Sequence, residues 1–390
     1  MSSTTPDATL GRSGVRAAVA RPRVLLVGPF PPTKGGITTF MLNLMASPLA
    51  EEFDFVPFTT SRPQKTNVTE NWGYMALFKG GIGRMIAGIA VTAWHVLTFP
   101  VVLVLQRISI VQVQSSDYLV YWEGALYVWI AKLMGRKVLF RLGGSFDIFH
   151  GTARPAEKRW ISAALRLPDY IIAQSRFARD YIRGAGREGP MVLLPNWTRD
   201  ANIADVPREP VEAPVCLFIA NLEAVRKGVE EVFAAMTMLH ERGSPARFLF
   251  LAMPPVLIER LQAMQMPSVV GIESFVPHSR ALQAMRECQI FLLPSHGEGF
   301  PNSLVEAMGA GMACIATPVG AVPEMTTDGE AIVIPVGDAK ALADSIERIV
   351  SDPALFRSLA AKAQAKVRST YVAGAALPEL AAAYRASVGR

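Results

Sequence analysis

Short apolar runs bounded by Gly, Pro, Ser or charged residues alternate along the chain with longer stretches of helical period, and the pattern runs through twice. Runs that are apolar at nearly every position read as strands covered on both faces. Their alternation with helical segments predicts parallel sheets. In the first half RVLLVGPF leads into a Gly-rich turn and the helical TTFMLNLMAS; then come ISIVQVQSS, the helix-like GALYVWIAKLMG, KVLFRL, and YIIAQS with RFARDYIRGAG. Residues 200–214, rich in acids and prolines, read as a linker. The second half opens on VCLFIANL and the helical KGVEEVFAAMTMLHERG, followed by ARFLFLAM, VVGIESFV, SRALQAMREC, QIFLLPS, LVEAMGAG, ACIATP and AIVIPVGD. It closes with helical ALADSIERIVS and AAKAQAKVRSTY. The expected fold is α/β, with two Rossmann-like doubly wound domains facing a central cleft.

One segment stands outside this alternation. Residues 85–106, MIAGIAVTAWHVLTFPVVLVLQ, hold no formal charge over 22 positions and are flanked by Arg84 and Arg107. At about 1.5 Å per residue such a helix reaches across a bilayer. The strands expected on either side of it belong to one sheet, which argues against a span. A buried core helix is the favoured reading, and a helix lying in the bilayer interface is the alternative.

The chain has 390 residues, of which 51% are apolar and 18% charged, and its mean hydropathy of +0.27 excludes a disordered or fibrous protein. The charge is uneven. Residues 1–200 hold 23 Lys and Arg against 13 Asp and Glu, a net +10, whereas residues 201–390 hold 16 against 20, a net −4. The asymmetry has two readings, an anionic partner for the first half alone (a membrane surface or a phosphate-bearing substrate) and ordinary surface variation. Cys216, Cys288 and Cys314 have no metal-ligand spacing and read as buried thiols of a reducing compartment. The stretch after Arg12 and Arg16 never becomes an apolar signal core. Neither half carries G-x-G-x-x-G after its first strand, and no Walker A pattern occurs, which disfavours a dinucleotide dehydrogenase and a P-loop phosphotransferase.

Three constellations remain. Pro31-Pro32-Thr33-Lys34-Gly35-Gly36 follows the first strand, where paired glycines let backbone approach a ligand and a helix start favours an anion. Arg226-Lys227-Gly228 places two cations between a strand and a helix, a setting suited to a diphosphate, although taken alone it reads as a solvated basic turn. Glu298-Gly299-Phe300-Pro301-Asn302-Ser303-Leu304-Val305-Glu306 sets one carboxylate in a Gly/Pro loop and a second inside the apolar helix after it. A carboxylate buried in such a helix needs a hydrogen-bonding partner, and sugar or ribose hydroxyls would serve. Asn302 and Ser303 are N-cap types, so amides near 302–304 are expected to be free for a phosphate.

The run PSHGEGFPNSLVEAMGAGMACIATPVGAVPEM (294–325) resembles the donor-site signature of family 4 retaining glycosyltransferases, whose fold is GT-B; Glu298 and Glu306 match its two glutamates. The resemblance extends over most of the chain. It takes in Gly35 and Gly36, LPNW (194–197) with Asn196 at the position of a Pro-Asn-Gly segment, Lys227-Gly228, and a final helix that in the family returns to the first domain. It implies a leader over 1–20, an acceptor domain over 21–205, a nucleotide-sugar donor domain over 206–370 and a returning helix over 371–390.

The activity implied is transfer of a sugar from a UDP- or GDP-linked donor, with retention at the anomeric carbon. The nucleotide sugar is a substrate, so no cofactor and no bound metal are expected. In this reading Glu306 accepts hydrogen bonds from the ribose and Glu298 sits near the sugar hydroxyls. Gly299, Phe300, Pro301, Asn302, Ser303 and Leu304 line the donor with Asn196, and Lys227 with Arg226 neutralises the leaving diphosphate. Gly35 and Gly36 approach from the other domain.

Two departures accompany the match. Ala220-Asn221-Leu222 stands where the family often has Gly-Arg-Leu, which leaves Arg226 to compensate. Leu142 stands where a histidine is often found, so sugar contacts pass to Gly143 and Gly144 or to Arg141. His296, two residues before Glu298, is a further sugar candidate. The expected acceptor is a saccharide, lipid-linked by preference, in envelope or extracellular polysaccharide assembly. The chain would be cytoplasmic, with a peripheral contact on the inner face of the membrane and no nucleic acid partner. The alternatives are a soluble acceptor, a GT-B nucleotide-sugar epimerase, and a nucleotide-sugar-binding protein without turnover.

Overall fold

The computed structural model describes residues 21–33, 35–61, 81–220 and 224–389, with backbone alone at 81, 82, 84 and 85. The leader, Lys34, Asn221 and Leu222 lie outside the described residues. The first half runs β1 (Arg23–Gly28), α1 (Gly36–Met45), β2 (Asp54–Thr59), α2 (Gly81–Leu105), β3 (Ile110–Ser115), α3 (Leu119–Leu133), β4 (Lys137–Leu142), α4 (Phe146–Thr152), α5 (Pro155–Leu165), β5 (Tyr170–Ala173), α6 (Arg176–Gly184) and β6 (Met191–Leu193). The second runs β7 (Val215–Ile219), α7 (Val229–Glu241), β8 (Arg247–Leu251), α8 (Pro255–Ala263), β9 (Val269–Ile272), α9 (His278–Glu287), β10 (Ile290–Leu293), α10 (Asn302–Gly309), β11 (Ala313–Ala316), α11 (Val322–Met325) and β12 (Ile332–Val333). Helices α12 (Ala339–Ser351), α13 (Pro353–Thr370), α14 (Ala373–Ala376) and α15 (Pro378–Ser387) complete it.

The strands form two six-stranded sheets, ordered β2-β1-β3-β4-β5-β6 and β12-β11-β10-β7-β8-β9. Every pairing is parallel, as in the registers Val24↔Ile110 and Leu292↔Phe218. Strands buried on both faces explain the unbroken apolar runs: Val24 to Val27 and Ile290 to Leu293 are all buried. Side-chain caps start several helices. Ser175 accepts from the Ala178 amide at α6, Asp338 from Ala341 at α12, and Asp352 from Ala354 and Leu355 at α13.

The chain crosses between the sheets twice. The first crossing is 194–214, and the second follows α13. The two touch, because the Thr198 amide donates to the Tyr371 carbonyl at 3.0 Å. Beyond that point α15 packs into the first sheet's core: Leu380 and Tyr384 lie with Val24, Leu26, Met41 and Phe53, and the Tyr384 hydroxyl bonds Gln112 of β3.

Helix α2 corrects the favoured reading of 85–106. It is a helix, but only 11% of its most apolar window is buried. Phe99 and Leu103 pack on the first core, while Trp94, Leu97 and Leu105 face outward, Leu97 at 70% exposure. The uniform apolarity hid which face the domain covers. Cys216, Cys288 and Cys314 are free and buried, and burial raises each thiol's pKa.

Candidate active site

Both sheets turn their carboxyl ends toward each other, so the loops leaving β1, β4 and β6 meet those leaving β7, β10 and β11. Ligand sites of open α/β sheets lie in such crevices. On the second domain's side, the loop before α7 is pressed against the loop after β10. Gly228 has φ +81, and a Cβ there would stand 2.1 Å from the Pro294 carbonyl oxygen, so only glycine fits. The His296 amide donates to the Arg226 carbonyl at 2.7 Å, and the Arg226 guanidinium donates to the Gly297 carbonyl.

This contact brings together two residues 71 positions apart. Lys227 Nζ lies 2.6 Å from Glu298 Oε1, and Ser295 Oγ donates to the same oxygen at 2.8 Å. Lys227 is 8% exposed and Glu298 7%. The sequence reading gave these residues separate roles at the diphosphate and the sugar; the structure pairs them with each other. His296 points instead to Glu231, 2.8 Å away.

Glu306, on α10, is also buried, and its Oε1 lies 2.8 Å from His278 Nε2. That hydrogen bond raises the His278 pKa above the ordinary histidine value. Glu306 lines a shallow pocket that spans the cleft, with Asn43 and Phe40 from α1, Asn196, and Asn302. Sequence reasoning did not single out His278 or Asn43. The Pro277-His278 start of α9 was the only local signal for the first, and nothing local marked the second.

The N-cap expectation at Asn302 and Ser303 is corrected. Pro301 occupies the N-cap, so the two sit one and two positions inside α10. Asn302 Nδ2 instead donates across the cleft to the Gly36 carbonyl at 3.4 Å. Leu304 is fully buried in the second domain's core, and the Phe300 ring packs on Tyr371 at 5.6 Å. The side chains of these two therefore face away from the cleft. The Phe300 carbonyl does face it, accepting from Asn196 Nδ2 at 3.2 Å.

Arg141, at the end of β4, is fully enclosed. Its guanidinium donates to Asn196 Oδ1 and, at 3.4 Å, to Gln174 Oε1, and lies 3.8 Å above the Phe40 ring. Burial lowers its pKa to about 9. It therefore braces Asn196. Gly143 and Gly144 form the turn after β4, where the Gly143 amide donates to the Ser115 carbonyl at 2.8 Å and Asp117 accepts from the Ser145 amide at 3.1 Å. Gly144 touches Gly299 backbone to backbone: a Cβ on Gly299 would stand 2.0 Å from the Gly144 carbonyl oxygen. Around this contact lies a second pocket of about 360 Å³, lined by Phe146, Ser175, Tyr181, Glu298 and Gly320 among others. Glu324 of α11 completes the cross-cleft contacts, accepting from the Arg176 and Phe177 amides at the start of α6, at 2.9 and 2.6 Å. Among the described residues no cluster of three or more His, Cys, Asp or Glu side chains could hold a metal ion.

Residues 213–352 match the family model for glycosyl transferases group 1. That match covers the second sheet and both glutamates. A phosphatidyl-myo-inositol mannosyltransferase of Mycolicibacterium smegmatis is 28% identical over 229 residues, 57% of this chain and 57% of the relative; the chain thus spans little more than half that relative's length. Among solved structures, a sucrose-phosphate synthase of Thermosynechococcus elongatus superposes with a TM-score of 0.74 at 18% identity, covering 95% of this chain and 100% of that one. Anabaena HepE in complex with UDP superposes with a TM-score of 0.68 at 14% identity, covering 93% and 100%. The architecture is GT-B.

Proposed function

We propose that the chain is a retaining glycosyltransferase that moves a sugar from a UDP- or GDP-linked donor to a saccharide acceptor in envelope or extracellular polysaccharide assembly. The observation that carries this reading is the buried Lys227–Glu298 pair, set at the cleft where the β7 and β10 loops meet, with Glu306 one helix turn and a loop away. The donor-site resemblance at 294–325, the group 1 match and the UDP bound by the HepE structure support it. The acceptor hydroxyl oxygen bonds the anomeric carbon as the bond from that carbon to the diphosphate breaks; the electron pair stays on the diphosphate oxygen, which takes up the proton the hydroxyl gives up. Lys227, exchanging Glu298 for the phosphate, and Arg226 stabilise that charge, an effect worth about 10²–10³ in rate for one well-placed donor. Glu298, released, meets the sugar hydroxyls, and Glu306 with His278 holds the ribose. No metal is required in this scheme.

The acceptor is a lipid-linked saccharide and the chain sits on the inner face of the cytoplasmic membrane; the basic first half, the exposed α2 and the phosphatidyl-myo-inositol named for one relative support this part. Incubation with radiolabelled UDP- and GDP-sugars and a membrane lipid extract tests both parts. Transfer into the organic phase, lost on Lys227→Ala and Glu306→Ala, is the expected result. Exclusively water-soluble product would overturn the lipid acceptor, and donor binding with neither transfer nor hydrolysis would overturn the enzyme.

A further inference from the structure

Helices α2 and α3 lie side by side on one face of the first sheet, with the Phe99 and Tyr127 rings 5.0 Å apart. Each shows a second apolar stripe turned away from the core. On α2 the outward positions Ile86, Trp94, Leu97, Val101 and Leu105 recur at helical spacing, and on α3 Leu126, Trp129 and Leu133 do the same. Indole side chains present on the order of 150–250 Å² each when fully exposed; Trp94 and Trp129 are at least half exposed, as are all the aliphatic positions except Leu126. The combined face is therefore far larger than the few hundred Å² of apolar patch usual on a soluble monomer.

Topology sets this face relative to the cleft. His95 lies against Phe58, near the carboxyl end of β2, with ring centroids 6.0 Å apart. The helical residues before it, 81–94, thus run on past the carboxyl edge of the sheet by roughly 20 Å at 1.5 Å per residue. The amino half of α2 projects beside the mouth of the cleft. The other ends of the two helices lie together at the opposite edge, because Ile110 and Lys137 are register partners. There Lys132 and Lys137 share Asp169 at 2.9 and 3.4 Å, and Arg107 and Arg136 follow the same two helix ends. The apolar face is thus bordered by surplus positive charge.

We propose that the α2–α3 face is a monotopic membrane-docking surface, lying flat in the interface of an anionic bilayer. Trp94 and Trp129 sit at headgroup level, as indole rings prefer, the apolar stripes enter the acyl boundary, and the cations at 107 and 132–137 meet lipid phosphates. The cations bordering the face complement the phosphates of an anionic lipid surface, and this complementarity is the ground for choosing lipid over a second copy of the chain. The binding rests on the face alone; only the meaning given to it, delivery of a lipid-linked acceptor to the cleft mouth, rests on the function proposed above.

The test is flotation of the full chain with phosphatidylcholine vesicles, with and without phosphatidylglycerol, alongside sedimentation of the free protein. Wild type is expected to float with the anionic vesicles and to bind pure phosphatidylcholine at least tenfold more weakly. Leu97→Glu with Val101→Glu, both at solvent-facing sites, is expected to abolish flotation without lowering the Tm, and Arg107→Gln to weaken it about fivefold. Quenching of wild-type tryptophan fluorescence by brominated lipid, summed over six tryptophans of which Trp94 and Trp129 lie on this face, reads insertion directly and needs no variant. Failure of wild type to bind vesicles overturns the proposal, whether the chain sediments as a dimer, with a second copy covering the face, or as a monomer. Flotation without lipid-extract labelling supports the docking face and counts against the lipid acceptor instead.

Discussion

Lys227 and Glu298 form the most enclosed ion pair at the site, so replacing either should cost far more than replacing both. Lys227→Met removes the ion-pair partner of Glu298 Oε1 and leaves that oxygen with the Ser295 hydroxyl. Breaking one side of a buried pair typically costs about 3–5 kcal/mol, because the surviving charge stays desolvated. For a domain of this size each kcal/mol lowers the Tm by roughly 2–4 °C, so a drop on the order of 10 °C is expected in scanning calorimetry. Glu298→Gln strands Lys227 in the same way and should cost a similar amount. In the double variant no charge is left behind, and the loss should fall to about 1 kcal/mol, since a neutral replacement of a buried pair is often nearly neutral. The cycle therefore predicts strong non-additivity. A double variant whose Tm loss equals the sum of the two singles would refute the pairing. A saturating nucleotide diphosphate should also recover more Tm in Glu298→Gln than in Lys227→Met, because only the first retains the cation.

Other contacts yield their own predictions. Glu306 raises the His278 pKa, so the stabilisation His278 contributes is complete below about pH 6.5 and fades as pH climbs through the raised folded value; an NMR titration placing His278 at or below 6.5 would contradict this. Glu324→Ala should speed amide exchange at Arg176 and Phe177, whose N–H groups it accepts from, and unchanged exchange would mean that the carboxylate does not hold α6. Gly299→Ala must push the Gly144 carbonyl away by about 1 Å to relieve its 2.0 Å approach; a displacement of that order is expected to cost about 10²-fold in turnover with the circular dichroism unchanged, and wild-type turnover would show the domains do not close on this contact.

What the sequence could and could not disclose follows from the range of each interaction. The two sheets were legible because strands such as β3 and β10 are buried on both faces, and burial of that kind is written residue by residue as apolarity. The glutamates of the donor loop were legible as charges in apolar surroundings. The Lys227–Glu298 pair was not, since hydrophobic period carries no record of contacts 71 positions apart. Nor was the N-cap of α10, where proline at 301 displaced the cap by one residue and freed Asn302 to reach Gly36. For α2 the pattern was silent in principle: a helix apolar all round suits a core or a lipid boundary equally, and the difference lies in what the rest of the chain leaves uncovered.

The return of α15 bears on the order in which the protein is made. Residues 21–193 carry every strand of the first sheet, yet one side of its core is closed by Leu380 and Tyr384. On the ribosome that side stays only partly covered, by α1 and its neighbours, until the second domain has been synthesised and α15 can pack against it. The first domain to emerge is thus the last to be finished. Its early exposure of apolar surface makes it the part of the nascent chain most in need of a chaperone.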